Sequence, residues 1–184
     1  IYTLSLHDAL PICWKGDETR LLTERSPGAA YLWGLEGQQI AALLHDNLPT
    51  TPVRARWSAN TERILTWAGG EVALWNASGA EIQRLTFARE TVDDARISPD
   101  HTQLSIQARS TASTFFYGFE VESGEQTYRI ELPGSPPLQS AWNPDWTRLL
   151  VVSSDAARLF DATGALLGEF PGILSVSWSA DGSA

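Results

Sequence analysis

The chain of 184 residues has no methionine, one cysteine and three histidines. The single cysteine, Cys13, excludes an internal disulfide and favours a reducing compartment, so a cytoplasmic location is expected. At a strand edge it reads as a small buried residue rather than a reactive thiol. His7, His45 and His101 are scattered, and with one thiol they make no metal site of recognised spacing. There is no Gly-x-Ser-x-Gly elbow and no phosphate-cradling glycine motif, so neither a catalytic residue nor a cofactor site is expected. No apolar run reaches the roughly 18 residues that a membrane-spanning helix needs. Basic charge is scarce: 13 Lys and Arg stand against 22 Asp and Glu, a net charge of −9. Such a chain repels phosphate backbones, which argues against nucleic acid as a partner. No segment sustains a helical period.

What is present is a phrase that recurs five times: Trp14-Lys-Gly-Asp-Glu, Trp57-Ser-Ala-Asn-Thr, Ile97-Ser-Pro-Asp-His, Trp142-Asn-Pro-Asp-Trp and Trp178-Ser-Ala-Asp-Gly. Its leads are 43, 40, 45 and 36 residues apart, a period that marks a repeat architecture. A second anchor follows each complete phrase: Leu32-Trp33-Gly34, Leu74-Trp75-Asn76, Gly118-Phe119-Glu120 and Leu159-Phe160-Asp161. A glycine turn and a short apolar run come next. Six of the eight tryptophans stand at these two anchors, which ties them to the repeat rather than to a site. Between anchors lie short apolar runs such as Arg63 to Trp67 and Arg148 to Val152, bounded by Gly, Pro, Asn and Asp, which read as strands. The period therefore predicts four short strands per repeat and an all-β fold.

The lead phrase, the Leu-Trp anchor and the closing run resemble WD40 repeats over residues 13–184. The resemblance implies a β-propeller fragment of about four four-stranded antiparallel blades, 13–44, 53–86, 92–132 and 138–170, with the start of a fifth at 173–184. It also implies a protein-interaction scaffold with no catalytic role, whose partners are proteins or peptides and the remaining blades of the same propeller. The repeats are degenerate. The signature Trp-Asp pair is replaced by Trp33-Gly34, Trp75-Asn76, Phe119-Glu120 and Phe160-Asp161, and His45-Asp46 is the nearest remnant of the usual Gly-His pair. The family's buried Asp-His-Ser/Thr-Trp network is accordingly expected in no blade. Ser-Pro-Asp and Asn-Pro-Asp turns also occur in TolB-like propellers and in propellers that gate serine hydrolases, so a propeller domain of a larger peptidase is the alternative.

Residues 2–12 break the pattern and resemble the translation of a short-read sequencing adapter, which sets 1–12 apart as an artefact. With a closing phrase that stops in a turn, the chain reads as a segment of a longer protein. Trp14, Trp33, Trp57, Trp75, Phe119, Trp142, Phe160 and Trp178 are expected in the core, each burial contributing roughly 1.5–3 kcal/mol. The candidate partner surface falls on loops between blades and between second and third strands, with Trp67 and Phe87 as rigid aromatics and His45, and on the acidic pair Asp93-Asp94 that opens the first strand of the third blade near the expected channel mouth. His101 reads as a solvated turn residue, and Asn76-Ala-Ser78 matches a glycosylation sequon.

Overall fold

The computed structural model describes residues 12–16, 19–25, 28–45, 48, 51–134 and 136–179, with the backbone alone at Ile12–Trp14 and Arg25. These residues form sixteen strands and no helix. The first sheet holds β1 (Ile12–Trp14), β2 (Arg20–Arg25), β3 (Ala29–Gly34) and β4 (Gln39–Leu44). The second holds β5 (Arg54–Trp57), β6 (Arg63–Ala68), β7 (Glu71–Asn76) and β8 (Glu81–Thr86). The third holds β9 (Thr91–Ile97), β10 (Gln103–Arg109), β11 (Ser113–Glu120) and β12 (Gln126–Pro133). The fourth holds β13 (Gln139–Trp142), β14 (Arg148–Val152), β15 (Ala156–Asp161) and β16 (Leu166–Pro171). Within each sheet the strands follow chain order, the meander of a propeller blade.

The recurring phrase is the turn between the first two strands of a sheet. Thr61 N donates to Ser58 O, His101 N to Ser98 O and Trp146 N to Asn143 O, at 2.9–3.0 Å. The Ser or Asn side chain then accepts the backbone N–H that opens the next strand: Arg63 on Ser58 at 3.1 Å, Gln103 on Ser98 at 2.9 Å, Arg148 on Asn143 at 2.9 Å. The fifth residue of the phrase turns left-handed, with φ of 58° at Thr61, 63° at His101 and 56° at Trp146. His101 is half-buried, with its Nδ1 shielded from solvent, and not the solvated residue expected. The second anchor is equally regular. A register shift falls at Leu32/Trp33, Leu74/Trp75, Gly118/Phe119 and Leu159/Phe160, so each fourth strand bulges opposite the anchor, with Ile40, Ile82, Thr127 and Leu167 as the extra residues.

The residue after the anchor closes the next hairpin. Asn76 Oδ1 accepts Ser78 N, Ser78 Oγ and Ala80 N at 2.9, 2.7 and 3.0 Å, and Asp161 Oδ1 does the same for Thr163 and Ala165. These side-chain turns place Gly79 and Gly164 at φ of 85° and 83°, a conformation that glycine adopts without strain.

The chain divides into two compact units, residues 1–97 and 98–184. In the first, Leu22, Ala30, Leu32 and Leu43 of one sheet pack on Ala55, Trp57, Ile64, Ala73 and Trp75 of the next. In the second, Phe116, Tyr128 and Ile130 pack on Leu149, Val151 and Phe160. Middle strands are the most enclosed: β11 is buried at seven of its eight residues, whereas no residue of β16 is buried. Among the expected core aromatics, Trp57, Trp75, Phe119 and Phe160 are buried. Trp33, Trp142 and Trp178 are only half-buried, a correction to that expectation. Each indole N–H reaches a polar acceptor: Thr23 Oγ1 at 2.9 Å, Ser105 Oγ at 3.0 Å and the Ala141 carbonyl at 3.1 Å. The Trp14 side chain lies outside the described residues.

Candidate functional site

The second sheet corrects one expectation outright. His45 is fully buried, at 0% exposure, and presents no surface to a partner. Its Nε2 lies 2.9 Å from Thr66 Oγ1, which accepts the Trp75 indole N–H at 2.8 Å. The bonds run in one direction: Trp75 donates to Thr66, the Thr66 hydroxyl donates to Nε2, and the ring proton is left on Nδ1. That nitrogen faces Glu71 Oε2 at 3.3 Å. Burial, and then the Arg84 guanidinium, hold the imidazole below its usual pKa, so the neutral tautomer that this chain of bonds needs is the stable one. Among the described residues the His–Thr–Trp part of the network is assembled here, and Glu71 takes the place of the acid at 3.3 Å from an Nδ1 that has no hydrogen-bond partner. Arg84 locks it from outside, bonding Glu71 at 3.0 Å and the Leu44 carbonyl at 3.0 Å, with its guanidinium 5.7 Å from the Trp75 ring centre. Asp46 lies outside the described residues.

The remaining surface candidates gather around β5 and β9. β5 alternates strictly, Arg54 and Arg56 outward, Ala55 and Trp57 inward. Arg56 lies 3.4 Å from Asp94, whose other oxygen takes Arg96 at 2.6 Å. Arg56 also covers the ring of Trp67 at 5.6 Å, and this explains why Trp67 is 6% exposed rather than a contact aromatic. Asp94 is therefore engaged by two arginines and is no open acidic docking point; Asp93 beside it is half-buried. Phe87 is half-buried where its backbone N–H donates to the Gly70 carbonyl at 2.7 Å. Behind this row Glu24 is buried and accepts Ala55 N at 2.8 Å, with Arg54 at 3.6 Å. Burial raises its pKa against the opposing pull of that hydrogen bond and of Arg54. The outward product is a row of guanidiniums, Arg54, Arg56 and Arg96, 62%, 45% and 48% exposed.

A second constellation lies wholly in the second unit and none of its members was singled out for binding by the sequence. On β11 Gly118 faces Tyr128 of β12; a Cβ there would meet the Tyr128 ring at 2.1 Å, so the glycine is what lets the ring lie across the strand. The Tyr128 hydroxyl reaches Ser105 Oγ at 3.1 Å, and burial pushes the phenol up to about 12, which keeps it protonated. Ser105 also accepts the Trp142 indole N–H. Trp146, in the turn after Trp142, stacks on it with ring centres 5.2 Å apart and planes 5° from parallel. These residues, with Gln103, Leu104, Thr127 and Ala162, line a cavity of about 310 Å³. Among the described residues no three His, Cys, Asp or Glu side chains converge to hold a metal ion.

No family model matches the chain, and no curated protein matches it. Solved structures do. The crystal structure of the C-terminal WD40 domain of Sif2 superposes with a TM-score of 0.74 at 24% identity, covering 88% of this chain and 48% of that one. The chain thus spans about half the length of that domain structure, and the likeness is one of fold. Together with the four antiparallel sheets it establishes the WD40-like β-propeller fold that the repeats imply.

Proposed function

We propose that the chain is a protein-interaction scaffold, a WD40-like propeller segment with no catalytic role of its own. The observation that carries this reading is the row Arg54, Arg56 and Arg96. Three half-exposed or exposed guanidiniums stand on the first strands of neighbouring sheets in an otherwise acidic chain. Arg56 and Arg96 are already immobilised by Asp94, and Arg56 by Trp67, so a partner carboxylate meets oriented donors at low entropic cost. The partner chemistry that fits is an acidic peptide segment. Calorimetric titration with a glutamate-rich peptide is expected to show saturable, salt-sensitive binding. The double variant Arg56→Glu/Arg96→Glu should lose it while remaining folded at the titration temperature, with its thermal midpoint lowered by the lost Asp94 pairs and Trp67 contact. Equal binding by that variant, or equal binding of a lysine-rich peptide, would remove the arginine row from the proposal.

A second reading, a propeller domain of a larger serine hydrolase, draws on Phe119 and Phe160 at the anchors and on the Ser98-Pro99-Asp100 and Asn143-Pro144-Asp145 turns. It predicts that the arginine substitutions leave peptide binding untouched.

A further inference from the structure

We propose that the cavity around Trp142 and Trp146 binds a proline-containing stretch of a partner polypeptide. The site goes beyond the arginine row and shares no residue with it.

Its lining carries no charged side chain. In a chain of net charge −9 this is a selective feature, and it disfavours phosphate, carboxylate and ammonium ligands, whose desolvation nothing here would offset. The wall is formed by two parallel indoles, with Tyr128 tilted 55° to Trp142 at 6.0 Å. Parallel indoles present a flat apolar face and leave no gap for a cation between them.

The polar part of the site can be counted. Trp142 N–H, Ser105 O–H and Tyr128 O–H bring three protons to two oxygen acceptors. Trp142 must donate to Ser105, and one hydroxyl proton joins Ser105 to Tyr128. One hydroxyl proton is left over without an acceptor in this trio, while the other polar side chains of the lining, Thr127 and Gln103, bond each other at 3.3 Å. The ligand should therefore be neutral, offer a flat ring to the indoles and supply a single strong acceptor. A prolyl residue meets all three conditions. Its ring stacks on indole, it has no N–H to satisfy, and the carbonyl beside it accepts a hydroxyl proton. An oligosaccharide stacks equally well but brings many hydroxyls to a pocket whose polar groups are already bonded to one another.

Trp146 holds φ of 56°, a conformation unfavourable for so bulky a residue. The corresponding position of the last phrase is Gly182. Thr61 and His101 hold the same conformation at the matching turns, so the left-handed backbone belongs to the turn, and what Trp146 adds is its stacking on Trp142.

The test uses the full chain. Decaproline is titrated while the indole N–H resonances and tryptophan fluorescence are followed, with a glycine–serine decapeptide, cellohexaose and a trimethyl-lysine peptide in parallel. Trp146→Gly relieves the left-handed backbone and should fold at least as well; Thr61→Gly does the same at the equivalent turn of the first unit, remote in sequence from the cavity. Expected are a saturable shift of the Trp142 N–H with decaproline, about tenfold weaker binding by Trp146→Gly, and unchanged binding by Thr61→Gly and by Arg56→Glu/Arg96→Glu. Silence with decaproline, a response only to the sugar or the trimethyl-lysine peptide, or equal loss in Thr61→Gly would overturn the proposal. The arginine variant keeps the outcome separate from that of the acidic-peptide site.

Discussion

At the anchor of each third strand the first unit places an indole and the second a phenyl ring. Trp33 pairs in register with Leu21 and Trp75 with Ile64; two residues beyond, on the second strand, stand Thr23 and Thr66, and each accepts the indole N–H. In the second unit Phe119 pairs with Leu104 and Phe160 with Leu149, and the residues two beyond are Ile106 and Val151. The ring and its neighbour change together. A buried N–H without an acceptor costs about 1–3 kcal/mol, so tryptophan needs the threonine; a phenyl ring has nothing to donate, and a hydroxyl beside it would be the orphan.

The lead position shows the reverse pattern. In the first unit the Trp57 N–H is buried without a partner, and its cluster includes Leu22. In the second unit the position that matches Leu22 is Ser105, which accepts the Trp142 N–H and opens the aromatic cavity. Each unit thus satisfies one indole family and fills the other site with hydrocarbon. The difference teaches that donor and acceptor are exchanged together at the anchors, whereas at the lead position of the first unit the Trp57 donor is kept without an acceptor.

The largest test of this pairing is Thr66→Val. It orphans the Trp75 N–H and removes the donor to His45 Nε2, so a loss of about 3 kcal/mol is expected in denaturant unfolding. Adding Trp75→Phe, which copies the fourth sheet, should return at least about 1 kcal/mol; strict additivity would break the pairing argument.

Val151→Thr is the mirror experiment in the second unit. It buries a hydroxyl in an apolar cluster at a cost of about 1–2 kcal/mol, and Phe160→Trp on that background should recover part of it. If the added indole destabilises further, the two units are not interchangeable at this position.

The smallest effect is the pH dependence. Because His45 has a folded-state pKa below 6.5, the unfolded chain binds the proton first as pH falls. Stability is therefore full above about 6.5 and declines progressively below it. Glu24, with its pKa raised above 4.5, acts in the opposite direction: the folded state holds that proton longer, so stability falls as pH rises from 4.5 through its folded value. Urea midpoints from pH 4 to pH 8, with the His45 ring followed by NMR, would separate the two. A His45 ring that titrates above 6.5 would contradict the neutral network.

The recurring phrase that builds the turn at Ser58 or Asn143, the short apolar strands such as Arg63 to Trp67, and the rhythm of Leu-Trp or Leu-Phe anchors were legible because each depends on residues close in the chain. His45 was read as a loop residue because its partner Thr66 lies 21 positions away and its acid is Glu71 rather than an aspartate. Trp67 looked like a contact aromatic because nothing local reveals that Arg56 covers it. The cavity escaped altogether, since it needs Gly118 to make room, Tyr128 to cross it and Trp142 to reach Ser105, 37 positions earlier.

The sequence by itself determined the strand rhythm, the turn chemistry and which ring stands at each anchor. These follow from side-chain alternation and hydrogen bonds spanning two to five residues. Tertiary structure alone decided which buried N–H finds an acceptor, which arginines reach solvent and where a cavity is left open. Those outcomes depend on sheets stacked face to face, where groups distant in the chain share one solvent-poor space and every donor must be matched within it.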